Sequence, residues 1–446
     1  MTITLDETTL DSALALLLAP HEWRHRRVDS VHLETGERGR WKASIDCTPS
    51  KDDVIPYGTG HVVLPLALVK KGPMRDLNVT DASGDPLPVL TSSENTRLAR
   101  AVLLRALANG GVPQTAFVEE AAEKIVGSRG DSDEVDALLE TGYMGGRQVF
   151  DRMALEKIGP AARVLMLDLA RNFILGVVVR NDILGRRQLM KFSYFWHVDI
   201  LEESGWKRII LGSFGFKELE LAVDVPMAGD AASFHLEFHP PEGLTCRLRL
   251  PPMDFVAGRG YSDADPTQVA HAYGAYEPAE PSLLNPAEAE LFVSRRGPWL
   301  MTLLLAAFTF LFFLFGIWFD GALGVLRGEE SGDGVDPSAL LLTLPGVIVG
   351  LLVSAREHML ATYLLMPIRT AAVTCSALLL IASASLTFQL QDPHLVRLWF
   401  LSLTISAAIL GALIFGAVVR ARRTRGHNLG LLLGLKGRNH HAQRRT

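Results

Sequence analysis

From Pro298 to Arg420 the chain contains four windows, at 299–319, 337–355, 370–390 and 398–419, that hold no Asp, Glu, Lys or Arg. An α-helix rises about 1.5 Å per residue and the hydrocarbon core of a bilayer is about 30 Å thick, so each window is long enough to cross. No other feature limits the fold as much. Four helices of this composition belong in lipid, and everything ahead of them must work beside a membrane.

Loop charge then sets the expected orientation. One side carries Arg295, Arg296, Arg356, Arg369 and eight basic residues from Arg420 onward, which makes twelve; the other carries only Arg327 and Arg397. Basic residues stay on the cytoplasmic side, so both termini are expected there. The opening segment MTITLDETTL is acidic and lacks the basic stretch of a secretory signal. Residues 1–283 are therefore expected to be cytosolic, 284–297 to form a short connector helix, and 421–446 to form a basic cytoplasmic tail. Richness in Leu, Ala, Arg and Gly fits a bacterial inner-membrane protein.

The two parts differ in charge. Residues from Pro298 onward hold 12 basic and 7 acidic groups, and the 297 before them hold 32 and 42. A cytosolic region with a net charge of −10 does not suggest nucleic-acid binding. The basic tail could meet anionic headgroups, although the topology signal alone accounts for it. The cysteines, Cys47, Cys246 and Cys375, are far apart and form no CxxC, which excludes a cysteine-built zinc site and a disulfide framework.

The N-terminal 283 residues alternate in character. Val28–Leu33 and Trp41–Ile45 read as strands around a turn near Gly36–Gly39, and His61–Val69 as a buried strand. Residues 92–171 read as amphipathic helices. Strand-like sequence then returns at 172–180, 187–198, 218–225, 233–239 and 244–250. This spacing predicts an antiparallel, sandwich-like β region carrying a helical insertion, in one domain or two, followed by a four-helix transmembrane bundle. Residues 251–283, rich in Pro, Gly and Asp, read as a linker.

Chemistry-bearing patterns are sparse. In His235-Leu236-Glu237-Phe238-His239, alternation puts His235, Glu237 and His239 on one strand face. Two imidazoles and a carboxylate suit a divalent metal, the one cofactor the sequence suggests, but a further ligand would have to come from another element. The plainer reading is a solvated strand face. His21-Glu22-Trp23-Arg24-His25 spells HExxH, but Pro20 precedes it and strand-like sequence follows, so a chance match is the better reading. Arg24, Arg26 and Arg27 read as a solvated basic face that could meet a phosphate. No phosphate loop, dinucleotide fingerprint or nucleophile elbow is present, and the spans carry no central charge. Small residues that permit close helix approach occur at Gly346 and Gly350 and at Ala408, Ala412 and Gly416, joining helices within one chain or between copies.

These patterns favour a non-enzymatic, multi-pass membrane protein whose cytosolic region binds a protein or small-molecule partner. The alternative is a bundle that self-associates as a gated pore or disturbs the membrane.

Overall fold

A computed structural model describes residues 3–34, 38–72, 75–128, 133–197, 206–214, 216, 219–223, 231–249, 255–262, 266–276, 287–318, 358–387 and 394–432. The N-terminal region is built on a seven-stranded sheet. It contains β1 (Arg24–Leu33), β2 (Arg38–Cys47), β5 (Arg75–Thr80), β9 (Gln188–His197), β11 (Ser233–His239), β13 (Phe255–Ser262) and β14 (Ala270–Tyr276), in the order β13-β14-β11-β1-β2-β9-β5. Two three-stranded sheets accompany it. One is β3 (Ile55–Pro56), β4 (His61–Lys70) and β8 (Asn172–Arg180); the other is β10 (Leu219–Val223), β15 (Ala287–Val293) and β12 (Leu244–Arg249).

The expectation of antiparallel pairing fails at one central place. β1 and β11 run parallel, with Ser30 opposite Glu237 and His32 opposite His239, while the other ladders of the large sheet are antiparallel. Alternation of apolar and polar residues reports which face of a strand is buried, not the direction of its neighbour. Parallel partners also need a long crossover, and about two hundred residues separate these two strands.

The helical segment sits between strands that pair across it, because β4 before it pairs with β8 after it and β2 with β9. Local chemistry starts its helices where the sequence does. In α3 (Ser92–Asn109), Thr91 and Glu94 form a reciprocal capping box; Thr115 caps α4 (Ala116–Gly127); Pro160 opens α7 (Pro160–Arg171). β4 is buried along nearly its whole length, as a strand covered on both faces must be. Helices α3 and α7 lie against its partner β8 on one side, and on the other Arg24 of β1 donates to the Pro65 carbonyl at 2.6 Å. Gly176 in β8 is required by space: a Cβ there would come 2.5 Å from Leu90 Cδ1, whose backbone N–H already bonds the Gly176 carbonyl. Lys71, just after β4, ties the insertion down. Its ammonium donates to the Ile125, Val126 and Leu169 carbonyls at the C-terminal ends of α4 and α7, where a cation is favoured.

Two sequence expectations are corrected here. Residues 287–293 of the expected connector helix form β15, with Ala289 opposite Leu248 and Leu221. Residues 255–262 and 270–276 of the expected linker form β13 and β14. In both stretches small residues hide the pattern: Ala270, Ala272, Ala287 and Ala289 are fully buried, but alanine gives little hydropathy contrast with its neighbours. A short helix, α8 (Trp206–Ser213), is a further element with no counterpart in the sequence reading.

Three described helices are long and apolar enough to cross a membrane: α9 (Pro298–Trp318), α10 (Met359–Thr387) and α11 (His394–Leu432). The second expected window, 337–355, with Gly346 and Gly350, lies outside the described residues. α10 starts well before the window at 370–390, and it packs on α8 beside the β-rich region. α9 and α11 are antiparallel. Arg295, just ahead of α9, donates to the Ala417 carbonyl at 2.9 Å, while Phe313 near the other end meets Trp399 edge-on at 5.3 Å. The Trp399 indole donates to Ser385 Oγ at 3.4 Å, which also sets α10 against α11 in opposite directions.

The small-residue stripe of α11 meets the other described helices only in part. Ala408 is exposed, Ala412 is half-buried and only Gly416 is buried, while Leu395, Trp399, Ser402, Ser406 and Leu413 fill the inward face. A ring as large as that of Trp399 sets the spacing near Gly316, where a Cβ would come 2.0 Å from the indole.

Candidate functional site

β11 alternates as its sequence requires. Phe234, Leu236 and Phe238 are fully buried, and His235, Glu237 and His239 share the opposite, half-buried face. Neighbouring strands extend that face. β1 brings Ser30 and His32, and β14 brings His271 and Tyr273 opposite Glu237 and His235. The His32 and His239 rings stack at 3.9 Å with an interplanar angle of 11°. Ser30 Oγ lies 2.9 Å from His32 Nε2. Glu237 is flanked by His239 on one side and His271 on the other, each nitrogen 3.9 Å from a carboxylate oxygen. The His235 ring leans instead on Tyr273 at 4.5 Å.

The three residues singled out from sequence therefore share a face but do not converge. His235 turns away to Tyr273, and among the described residues there is no group of three or more His, Cys, Asp or Glu side chains that could hold a metal. Sequence reading missed His32 and His271. They are brought in by strand pairing, and the available signal was their place in alternating stretches of β1 and β14.

Across the sheet the same face carries Arg26, Arg40, Lys42, Lys191 and Arg75, against the acids Glu237, Asp46 and Glu34, the last paired with Arg40 at 2.9 Å. Arg40 lies 4.1 Å over the Phe195 ring, and Asp46 is held by Arg187. The face is thus basic, although the region that bears it is acidic overall. Burial first, and then the positive charges of His239, Lys42 and Arg40, pull the His32 imidazole down to about 4. Burial likewise lowers His235 and His239.

A pH dependence follows. His32 has a lower pKa in the folded chain than the roughly 6.5 of an unfolded one, so below about pH 6.5 the unfolded chain takes up a proton that the folded chain refuses. The stability held at neutral pH is expected to fall as pH drops from about 6.5 towards about 4, with His235 and His239 adding in the same direction. Thermal unfolding across this range should show the slope, and His32→Asn should flatten it. An unchanged slope in the variant would place the titration elsewhere.

The other early candidates resolve differently. α2 (Pro20–Trp23) is a single turn and β1 begins at Arg24, so His21 and His25 never share a helical face. His25 instead hydrogen-bonds Thr48 Oγ1 at 2.8 Å. Only Arg26 of the expected solvated arginine face is exposed. Arg24 is 1% exposed, and Arg27, 2% exposed, forms a two-bond ion pair with fully buried Asp29 inside the sheet core. A strand face that looks polar in sequence can lie inward when its charges are paired.

A second charged cluster joins the β region to the helices. Arg247 and Glu290 pair across β12 and β15 in a buried position. Arg420 of α11 donates to the Val293 carbonyl at 2.6 Å and to Thr245 Oγ1 at 3.3 Å, with its guanidinium 4.7 Å over the Phe292 ring. No protein-family model matches the chain, and a search of curated proteins returns no significant relative.

Proposed function

We propose that this is a multi-pass membrane protein whose β-rich region binds the acidic segment of a partner protein on the outer face of its large sheet. The basic character of that face, set on a region with a net charge of −10, is the observation that carries the reading. Charge of one sign gathered on one surface steers an oppositely charged partner and fixes its register.

The bundle in this reading holds the sheet at the membrane through Arg420 and Arg295. α9 and α10 run in the same direction, which agrees with a further crossing at the sequence window 337–355. Four crossings would leave both termini on one side, which the loop charges make cytoplasmic.

A photoreactive residue in place of Ser193 tests the binding face in cells. It should yield adducts to another protein that disappear with Lys42→Glu plus Lys191→Glu. The same photoreactive residue at Phe117, exposed on α4, should not yield them. Absence of adducts from the sheet face, or adducts indifferent to charge reversal, would overturn the reading.

A further inference from the structure

We infer that α8 is an interfacial helix that lies in the headgroup layer of the leaflet beside the β-rich region and is held there by anionic lipid. This goes beyond the binding reading and rests on the membrane-spanning reading of α9, α10 and α11. The helix packs on α10 and against β15 and β10, with Gly212 and Ser213 buried. Ile210 and Leu211 point away from this packing and are 39% and 43% exposed. Just past the helix, Phe216 meets Phe415 of α11 at 5.8 Å between ring centroids. Phe415 is 62% exposed and lies on the outer surface of a spanning helix, so the end of α8 adjoins a surface that faces lipid.

Depth follows from helix geometry. Phe415 precedes Arg420, the first charge after the apolar run, by five residues, which is about 7.5 Å along the axis. An interfacial helix buries its apolar side about 5–10 Å into the boundary between headgroups and acyl chains. α8 is therefore placed where Ile210 and Leu211 can leave water without entering the bilayer centre.

Charge selects the lipid. Exposed Arg295, Arg296 and Arg422 lie at the ends of the spanning helices nearest the β-rich region, and the sequence of α8 includes Lys207 and Arg208. Basic residues at this level attract anionic headgroups, and the attraction weakens as salt rises.

The test uses the full chain in lipid nanodiscs. Leu211→Cys would carry an environment-sensitive fluorophore, because native Cys47, Cys246 and Cys375 are all buried. Lipids brominated near the top of their acyl chains should quench the label, about twofold more strongly in discs containing phosphatidylglycerol than in phosphatidylcholine alone. High salt, or Lys207→Glu with Arg208→Glu, should remove that excess. A label at Phe315→Cys on the outer surface of α9 reports the membrane-spanning reading itself, and its quenching by deep bromines shows the bundle inserted. With Phe315 quenched, an unquenched Leu211 label would overturn the inference, whether water or another protein covers α8. Equal quenching in both lipid mixtures, indifferent to charge reversal, would overturn the role of anionic lipid.

Discussion

Asp29→Ala is expected to be among the most damaging single changes in the β-rich region, at about 3–5 kcal/mol, because it strips Arg27 of its carboxylate inside the sheet core. The guanidinium is 2% exposed and lies 5.9 Å over the Phe192 ring, so water cannot replace the lost partner without opening the sheet. A loss of this size is a large part of the roughly 5–15 kcal/mol that holds a typical domain folded. The pair itself is a different matter. Burial raises the Asp29 carboxyl pKa against the pull of Arg27, which marks desolvation as the larger effect. Arg27→Met with Asp29→Leu should therefore recover most of the loss, since apolar groups of similar volume carry no desolvation cost. Denaturant unfolding of the native chain, Arg27→Met, Asp29→Leu and the double variant closes a cycle that measures the coupling, with Asp29→Ala measured beside it. A double variant as unstable as Asp29→Ala alone would mean that the pair specifies the packing of β1 and not merely its charge balance.

The second large effect is expected where the β region meets the helices. Glu290→Ala should cost about 3–5 kcal/mol, because Arg247, 7% exposed, loses the carboxylate that neutralises it. Arg420→Ala, on the same side of β15, should cost less. It removes two hydrogen bonds and a cation–π contact from a half-exposed group whose lost partners water can largely replace, for a total of about 1–3 kcal/mol. The two changes should share a second readout. Arg295 and Arg296 form a dibasic trypsin site between β15 and α9, and Arg295 is tied to the Ala417 carbonyl. Loosening the junction should speed cleavage there in both variants, with Arg420→Ala acting more through local opening than through global unfolding. Cleavage as slow as in the native chain would show that the junction is held elsewhere, for instance by α8 on α10.

Much of the chain could be read locally. Capping residues such as Thr91 and Thr115, the proline at the start of α7 and the apolar run of β4 each mark an element within a few residues, because hydrogen-bond capping and hydrophobic period act over one or two turns. The same is true of the apolar windows of the spanning helices, which are as long as a bilayer is thick, although α10 and α11 extend beyond theirs. Strands made of alanine and glycine could not be read in this way, as β13 to β15 show. The imidazole face was half legible. Alternation in β11 placed His235, Glu237 and His239 together, yet the stacking of His32 on His239 depends on a parallel pairing that no local pattern encodes.

The sequence by itself determined where this chain is apolar enough to leave water, where the helices of the insertion lie, and which face of a regularly alternating strand such as β11 is wet. These properties are set by groups close together along the chain, through transfer free energy and backbone hydrogen bonding. Tertiary structure decided which charges were paired. Arg24 and Arg27 became core residues because the Pro65 carbonyl and Asp29 reached them, and Arg420 became a clasp because β12 and β15 presented Thr245 and Val293 to it. Asp29 is only two residues from Arg27, but the Pro65 carbonyl lies 41 residues from Arg24 and Glu290 lies 43 from Arg247, and the groups that hold half-exposed Arg420 lie more than a hundred residues away, so most of these charges find partners only through folding.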